Sequence, residues 1–188
     1  VKAIQNETDS DIFLDLKLHD IPHTVGAAAS AVQSLKPRFL TVHASGGRAM
    51  INAAVKALPS TDVTAVTVLT SLSEEDLFEI GFANNALESA VSLAQMSVAA
   101  GARAIVCSPL EIAAIRSAVG NEAHIITPGV RPAGSSGVDD QKRTMTPQAA
   151  ILTGASYVVI GRPITQAWAQ GAQAMTAAAR TIAEDILQ

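Results

Sequence analysis

Six short apolar runs separated by helical segments constrain the fold of this chain more than any other feature. The runs are predicted as strands at residues 12–18, 37–42, 63–69, 104–107, 124–127 and 157–160. The segments between them are predicted helices at 22–35, 48–57, 87–100, 109–119 and 147–153, with a last helix at 168–187. Strands that alternate with helices pair in parallel through right-handed crossovers. The chain is therefore either a (β/α) barrel or an open doubly wound sheet.

The strand ends favour the barrel. No G-x-G-x-x-G follows the first strand, which argues against the dinucleotide-binding version of the open sheet. Barrel enzymes keep their chemistry at the C-terminal ends of the strands, and most of those ends are polar or turn-forming here. A complete barrel usually needs about 250 residues, whereas this chain has 188. We predict one domain over residues 1–188, an α/β fold of (β/α)8 TIM-barrel type with six βα units present and the first two strands missing.

Charge and cysteine content limit the partners. The net charge of −4 and the pI near 5.5 argue against a general nucleic-acid or anionic-membrane surface, since such surfaces depend on clustered Lys and Arg. The single cysteine, Cys107, has no partner for an internal disulfide, and no apolar run reaches about 18 residues. We expect a cytoplasmic protein whose anionic ligands bind at a local basic site.

The first strand carries a carboxylate and an ammonium group at a spacing that suits proton donation. We predict that this strand is buried. Alternate residues of a strand share a face, so Asp15 and Lys17 should face one way, while Leu14, Leu16 and Leu18 face the other way and pack under a helix. A carboxylate beside an ammonium helps keep it protonated, and such an ammonium is a proton donor. Asp20 lies in the loop that follows, where catalytic groups often sit. The alternative for D-x-K-x-x-D is a strand-end salt bridge with Asp20 capping the next helix.

A second candidate site follows the last two strands. Barrels often bind phosphate with these loops, through backbone N–H groups at a short helix start. Gly161 would allow close approach of the backbone and Arg162 would supply a bidentate charged donor. Arg131 and Gln141 lie in a long polar loop, 128–146, which we predict to be a lid over the ligand. The alternative for Gly161-Arg162-Pro163 is an ordinary turn in which proline begins a helix.

Six segments, in order along the chain, resemble the bacterial orotidine 5'-phosphate decarboxylase family. They are F-L-D-L-K-L-H-D-I-P-x-T at 13–24, V-H-A-S-G-G at 42–47, V-T-V-L-T-S at 66–71, T-P-G-V-R-P at 127–132, D-Q-K-R at 140–143 and V-I-G-R-P-I at 159–164. The resemblance implies conversion of orotidine 5'-monophosphate to UMP in pyrimidine biosynthesis, without a cofactor or a metal.

The resemblance also implies a role for each candidate residue. Lys17 would protonate C6 of the pyrimidine, Asp15 would hold Lys17, and Asp20 would reach into the neighbouring subunit's site. The active unit would then be a homodimer with shared sites. The implied substrate-binding residues are Thr24 beside that subunit boundary, Thr70 by the pyrimidine or ribose, Arg131 and Gln141 in the closing loop, and Gly161 and Arg162 on the phosphate.

Two departures from the family pattern affect the expected activity. His23 stands where the family has Asn. The family also has an Asp at the end of its first strand and a Lys on its second, and neither segment is in this chain, so we expect full turnover to need them. Two alternatives stay open: a magnesium-dependent sugar-phosphate decarboxylase or aldolase of the same superfamily, and a non-catalytic nucleotide-binding remnant. His19, His23 and His124 share no metal-ligand spacing, so we predict no metal site. We expect His43 to be a strand-end histidine hydrogen-bonded to the scaffold rather than a catalytic group.

Overall fold

A computed structural model describes residues 1–131 and 145–187. Their six strands form one parallel sheet in which each strand pairs with the next along the chain. The strands are β1 (Phe13–Leu18), β2 (Phe39–His43), β3 (Asp62–Val66), β4 (Ala104–Val106), β5 (His124–Thr127) and β6 (Tyr157–Val158). A doubly wound sheet reverses its strand order at a switch point. The order observed here never reverses, which confirms the TIM-barrel type with six units.

Helices follow the strands and pack against one another largely in chain order. They are α1 (Lys2–Glu7), α2 (Pro22–Ala31), α3 (Gly47–Ala57), α4 (Glu74–Glu79), α5 (Ala86–Ala99), α6 (Ile112–Val119), α7 (Pro147–Thr153), α8 (Arg162–Thr165) and α9 (Ala172–Leu187). Among the described residues, no helix is long and apolar enough to cross a membrane.

Alternation along β2 separates the core from the functional face. Leu40 and Val42 are fully buried and belong to the large apolar core, which also contains Met50 of α3. Burial of such a side chain contributes about 1.5–3 kcal/mol. Phe39 belongs to a second, smaller apolar cluster, and Thr41 bonds to a side chain of β1. Packing of Leu40 and Val42 in the core therefore fixes the position of β2, and Thr41 of the same strand reaches the candidate site.

The prediction that the first strand is buried was wrong. Among the described residues β1 pairs with β2 and with no second strand, and Leu16 is 46% exposed. Leu14 and Leu18 pack on the core as expected, but Leu16 does not, because the strand is irregular between them. Its register with β2 shifts between Leu14 and Leu18, and Lys17 adopts a φ of 48°.

Several helix ends differ from the predicted ones for local reasons. The helix predicted at 22–35 ends at Ala31 and continues as a separate 3-10 turn, after which Lys36 has a φ of 44°. The last helix begins at Ala172 rather than at 168, because Gly171 has a φ of 101° and breaks the chain direction. Left-handed backbone of this kind does not continue a right-handed helix.

A buried carboxylate forms ion pairs at the end of the sheet where the strands begin, opposite the C-terminal strand ends. Asp62, at the start of β3, pairs with Arg103 Nε at 2.6 Å and Arg38 Nη2 at 3.1 Å, with His124 Nε2 3.8 Å away. The ring of Phe39 lies beneath the Arg38 guanidinium. Residues at the N-terminal ends of barrel strands serve stability rather than catalysis. We therefore assign these charges to the scaffold.

Candidate active site

A cavity of about 210 Å³ opens at the C-terminal ends of the strands. It brings Asp15, Lys17 and Thr70 together, three of the residues that the sequence singled out. Its remaining walls are mostly apolar and come from Phe13, Val66, Val68, Leu69, Val106, Cys107, Pro128 and Val159. Apolar walls strengthen the electrostatic interactions of a neighbouring charged group, while the Lys17 and Asp15 side chains themselves remain close to half exposed. The cavity is thus suited to a reaction in which charge moves.

Asp15 and Lys17 form the charged centre of this cavity. Lys17 Nζ lies 2.5 Å from Asp15 Oδ2, as a charge-assisted hydrogen bond. The other carboxylate oxygen, Oδ1, accepts a hydrogen bond from Thr41 Oγ1 at 2.8 Å. Thr41 Oγ1 in turn accepts one from the backbone N–H of Lys17, also at 2.8 Å. The prediction that the two charges share a face is confirmed, and Thr41 joins them.

Two histidines lie next to this pair. The rings of His19 and His43 are 5.3 Å apart between centroids, and Ser45 Oγ is 3.5 Å from His19 Nε2. Burial lowers the pKa of His43, the His19 ring and the Lys17 ammonium lower it further, and the Asp15 carboxylate opposes them. His43 is therefore neutral at neutral pH. We predicted a histidine hydrogen-bonded to the scaffold; the contact that the structure gives it is the His19 ring.

Asp20 and Thr24 lie apart from the Lys17–Asp15 pair. Asp20 is exposed, and its Oδ1 accepts a hydrogen bond from the N–H of Ile21 at 2.6 Å. Thr24 is exposed in the first turn of α2. The helix-capping alternative for Asp20 is not what forms, because the N-cap of α2 is Ile21 without a side-chain cap. Within the described chain, both side chains are presented to solvent.

The ends of the predicted lid loop lie side by side. Val130 and Met145 form a parallel bridge, and the N–H of Arg131 donates to the carbonyl of Met145 at 2.9 Å. The Arg131 guanidinium donates to the Val130 carbonyl at 2.8 Å. Gln141 lies outside the described residues, as does most of the loop between these ends.

Gly161 and Arg162 follow β6 within four residues, just after Val159, which lines the cavity. Gly161 is the N-cap of the short helix α8, and Arg162 is its first residue. Both are exposed, and a Cβ added at Gly161 would meet nothing within 4 Å. They are close in sequence to Val159, which lines the cavity, but they do not line it themselves.

Cys107 is a wall of the cavity rather than a nucleophile. It is 1% exposed, and burial raises the pKa of its thiol far above the ordinary value, with Glu111 adding to the effect and Arg116 opposing it. A thiol of this kind is unreactive. In the part of the chain that the structure describes, no group of three His, Cys, Asp or Glu side chains is arranged to hold a metal ion.

Sequence reasoning missed Thr41 and the apolar walls. A threonine inside an apolar strand is common, so nothing marks its hydroxyl as a partner of residues 24 and 26 positions earlier. One signal was available: Thr41 and His43 alternate on a strand that ends at the same edge as Lys17. The walls come from β1, β3 and β4 and from the segments that follow β3, β4, β5 and β6, and no local motif connects them.

Comparison with known proteins gives a consistent result. A family model described as "Orotidine 5'-phosphate decarboxylase / HUMPS family" matches residues 1–177. The orotidine 5'-phosphate decarboxylase of Thermobifida fusca is 52% identical over 179 residues, 95% of this chain and 76% of that protein. The Frankia casuarinae protein of the same name is 51% identical over 169 residues, 90% of this chain and 61% of its own length.

A solved structure agrees with the sequence comparison. The crystal structure of orotidine 5'-phosphate decarboxylase from Lactobacillus acidophilus superposes with a TM-score of 0.82 at 36% identity, covering 96% of this chain and 77% of that one. Fold and cavity together define a TIM-barrel-type protein with a charged centre at the strand ends, and the relatives that it matches are named as decarboxylases, which are lyases. The chain belongs to the orotidine 5'-phosphate decarboxylase / HUMPS family.

Proposed function

We propose that this chain decarboxylates orotidine 5'-monophosphate to UMP without a cofactor, with Lys17 as the proton donor to C6. The observation that carries the proposal is the Lys17 ammonium, held 2.5 Å from Asp15 in a cavity with apolar walls. The names of the relatives supply the substrate.

The reaction needs a cation where the carboxylate leaves. The bond between C6 and the carboxylate carbon breaks, CO2 departs, and the electron pair stays on C6. A proton from Lys17 Nζ then forms the new C6–H bond, and the neutral amine regains a proton from solvent. An ammonium already in position stabilises the developing carbanion more than the substrate, which is the condition for lowering the barrier. At about 4 Å and an effective dielectric near 20, one such interaction is about 4 kcal/mol.

Asp15 has a positioning role in this scheme. Its carboxylate keeps the flexible lysine side chain in one place, since one oxygen bonds to Lys17 and the other to Thr41. It also provides a negative charge beside the position of the substrate carboxylate. The two hydrogen bonds of its carboxylate support the holding role, which we assign to Asp15.

The assignment is tested by product identification in the presence of a chelator. The chain is incubated with orotidine 5'-monophosphate and excess EDTA, and UMP is quantified by chromatography. The same assay is run on the chain joined to the part of the Thermobifida fusca relative outside the match, because Lys17 and Asp15 are 42% and 45% exposed here. We expect UMP, with the higher rate from the joined protein. No UMP from either protein, or activity abolished by EDTA and restored by Mg²⁺, would contradict the proposal.

Arg162 and Gly161 are proposed to bind the 5'-phosphate, with Thr70 at the pyrimidine or ribose and Arg131 and Gln141 closing over the ligand. Support comes from their positions. Arg162 begins α8 three residues after Val159, which lines the cavity, and Thr70 lines the cavity itself. A guanidinium matches the geometry of phosphate through paired N–H donors. Binding energy from the phosphate, remote from C6, can then orient the pyrimidine over Lys17.

Replacing Arg162 with alanine should raise KM for orotidine 5'-monophosphate about 10–100-fold, because one charge-assisted interaction contributes about 1.5–3 kcal/mol. The effect should be smaller for orotidine without the phosphate. Arg180→Ala, which removes an exposed arginine from α9, is the matched control and should leave KM unchanged. Equal KM values for the Arg162 and Arg180 variants would remove Arg162 from the site.

We also propose a homodimer in which Asp20 and Thr24 complete the partner's site. Their exposure, and the bond of Asp20 to the main chain rather than to Lys17, support it. Lys17→Ala and Asp20→Ala should each be nearly inactive alone, whereas a mixture of the two should recover activity at roughly a quarter of its sites, as random pairing in a two-fold dimer gives.

The matched control is a mixture of Lys17→Ala with Asp15→Asn. Lys17 and Asp15 come from the same subunit at each site. Every site of a mixed dimer therefore carries one of the two substitutions, and no activity should return. Recovery in both mixtures, or in neither, would contradict a site shared through Asp20. Rates are measured after subunit exchange, with the mass of the species checked by light scattering.

A further inference from the structure

We propose that Thr41 is a positioning residue for the reaction. Its single hydroxyl forms hydrogen bonds that hold both the backbone of Lys17 and the carboxylate of Asp15 in position. The inference rests on the proposed function, since it concerns how the proton donor is aimed. Thr41 is not among the residues that the sequence motifs identify.

The Thr41 hydroxyl is held in place by a rigid strand. Thr41 lies in the middle of β2, opposite Thr64 of β3, and is 1% exposed. A β-branched side chain has few rotamers, so the Oγ1 position follows from the strand. A hydroxyl has one proton to donate and lone pairs to accept. Here it donates to Asp15 Oδ1 and accepts from the Lys17 N–H, both at 2.8 Å.

The first of these bonds supports an uncommon backbone conformation. Lys17 has a φ of 48°, in the left-handed region that residues with a Cβ seldom adopt. At this point the register of β1 on β2 is shifted. The Thr41 hydroxyl therefore accepts the Lys17 N–H in the place where a regular ladder would offer a carbonyl oxygen. Because the hydroxyl takes the place of the carbonyl as acceptor, the strand can bend at Lys17 while the Lys17 N–H keeps a hydrogen bond.

The second bond fixes the carboxylate. Asp15 has Thr41 on one oxygen and Lys17 Nζ on the other. Rotation of the carboxylate would break one of these bonds, so the position of the ammonium depends on the threonine through Asp15. Reacting groups displaced by about 1 Å can lose about 100-fold in rate. A hydroxyl that fixes both the backbone and the counter-ion of the proton donor should therefore affect kcat more than substrate binding.

Thr41→Val tests this inference, because valine has nearly the same shape and removes the hydroxyl. We expect kcat to fall about 10–100-fold, with KM changed less than about threefold. Thr41→Ser, which keeps the hydroxyl, should retain kcat within about fivefold. Thr64→Val is the matched control: Thr64 is the buried register partner of Thr41, and its hydroxyl donates to the main-chain carbonyl of Asp62 at 2.9 Å. It should leave kcat unchanged.

A crystal structure of each variant gives a second measurement that does not depend on turnover. Thr41→Val should lose the left-handed φ at Lys17 or the contact between Asp15 and Lys17, while Thr64→Val keeps both; if Thr41→Val does not fold, Thr41→Ala replaces it. Wild-type kcat in Thr41→Val, equal losses in the two valine variants, or an unchanged Lys17–Asp15 geometry would overturn the inference. Absence of UMP formation by the wild-type protein would instead overturn the proposed function, leaving the geometric test of Thr41 intact.

Discussion

Replacing Lys17 with alanine should lower kcat for orotidine 5'-monophosphate by about 10³–10⁴-fold, the largest effect expected of any substitution in this chain. The variant loses the proton donor, for which a factor of about 10²–10⁴ is typical. It also loses the cation beside the developing negative charge at C6. Initial rates from ultraviolet absorbance, with substrate above KM, measure the change.

Lys36→Ala is the matched control for this substitution. Lys36 is also an exposed lysine with a positive φ, 44°, but it precedes β2 at the other end of the sheet. Its replacement should leave kcat unaltered, which separates loss of the donor from loss of a left-handed lysine. If Lys17→Ala kept more than a tenth of the wild-type rate, Lys17 would not be the proton donor.

Replacing Asp15 with asparagine should lower kcat about 100-fold or more. Asparagine has nearly the same shape and can still accept the hydrogen bond from Thr41, so the main change is the charge that holds the Lys17 ammonium. Both side chains are close to half exposed, and solvent reduces the attraction between them. The expected loss therefore comes mainly from misplacement of the donor rather than from the pair's Coulomb energy.

Asp11→Asn serves as the control for Asp15→Asn. Asp11 is an exposed carboxylate just before β1, and its neutralisation changes the net charge by the same amount. The two variants are compared by kcat and by thermal unfolding. An Asp15→Asn enzyme with wild-type kcat, or a loss equal to that of Asp11→Asn, would contradict the holding role.

Period-two reasoning correctly predicted that Asp15 and Lys17 lie on the same side of β1, because that needs only their spacing along one strand. It did not predict the bend at Lys17. A left-handed lysine has no local signature in D-L-K-L, and the bonds that accompany it come from Thr41, 24 residues away. The same bend explains why Leu16 is exposed although the alternation had placed it with Leu14 and Leu18.

The sequence predicted the positions of residues at the strand ends more reliably than the contacts made by residues in the loops that follow. Thr70 lies in the cavity wall because it follows β3 closely. Gly161, Arg162, Asp20 and Thr24 lie in loops or in the first turns of helices, and all four residues are exposed. Spacing in the sequence places such residues at the correct edge of the sheet. It does not determine what they contact, because a phosphate or a second subunit would supply that contact.

The most direct test of the account is turnover of orotidine 5'-monophosphate in D2O with EDTA present, by this chain and by the chain joined to the unmatched part of the Thermobifida fusca relative. Released CO2 and the deuterium content of UMP at C6 are measured together. We predict one CO2 for each UMP and one deuterium at C6, with both products lost in Lys17→Ala. UMP formed equally well by the Lys17 variant, or no UMP from either unsubstituted protein, would contradict decarboxylation with Lys17 as the donor.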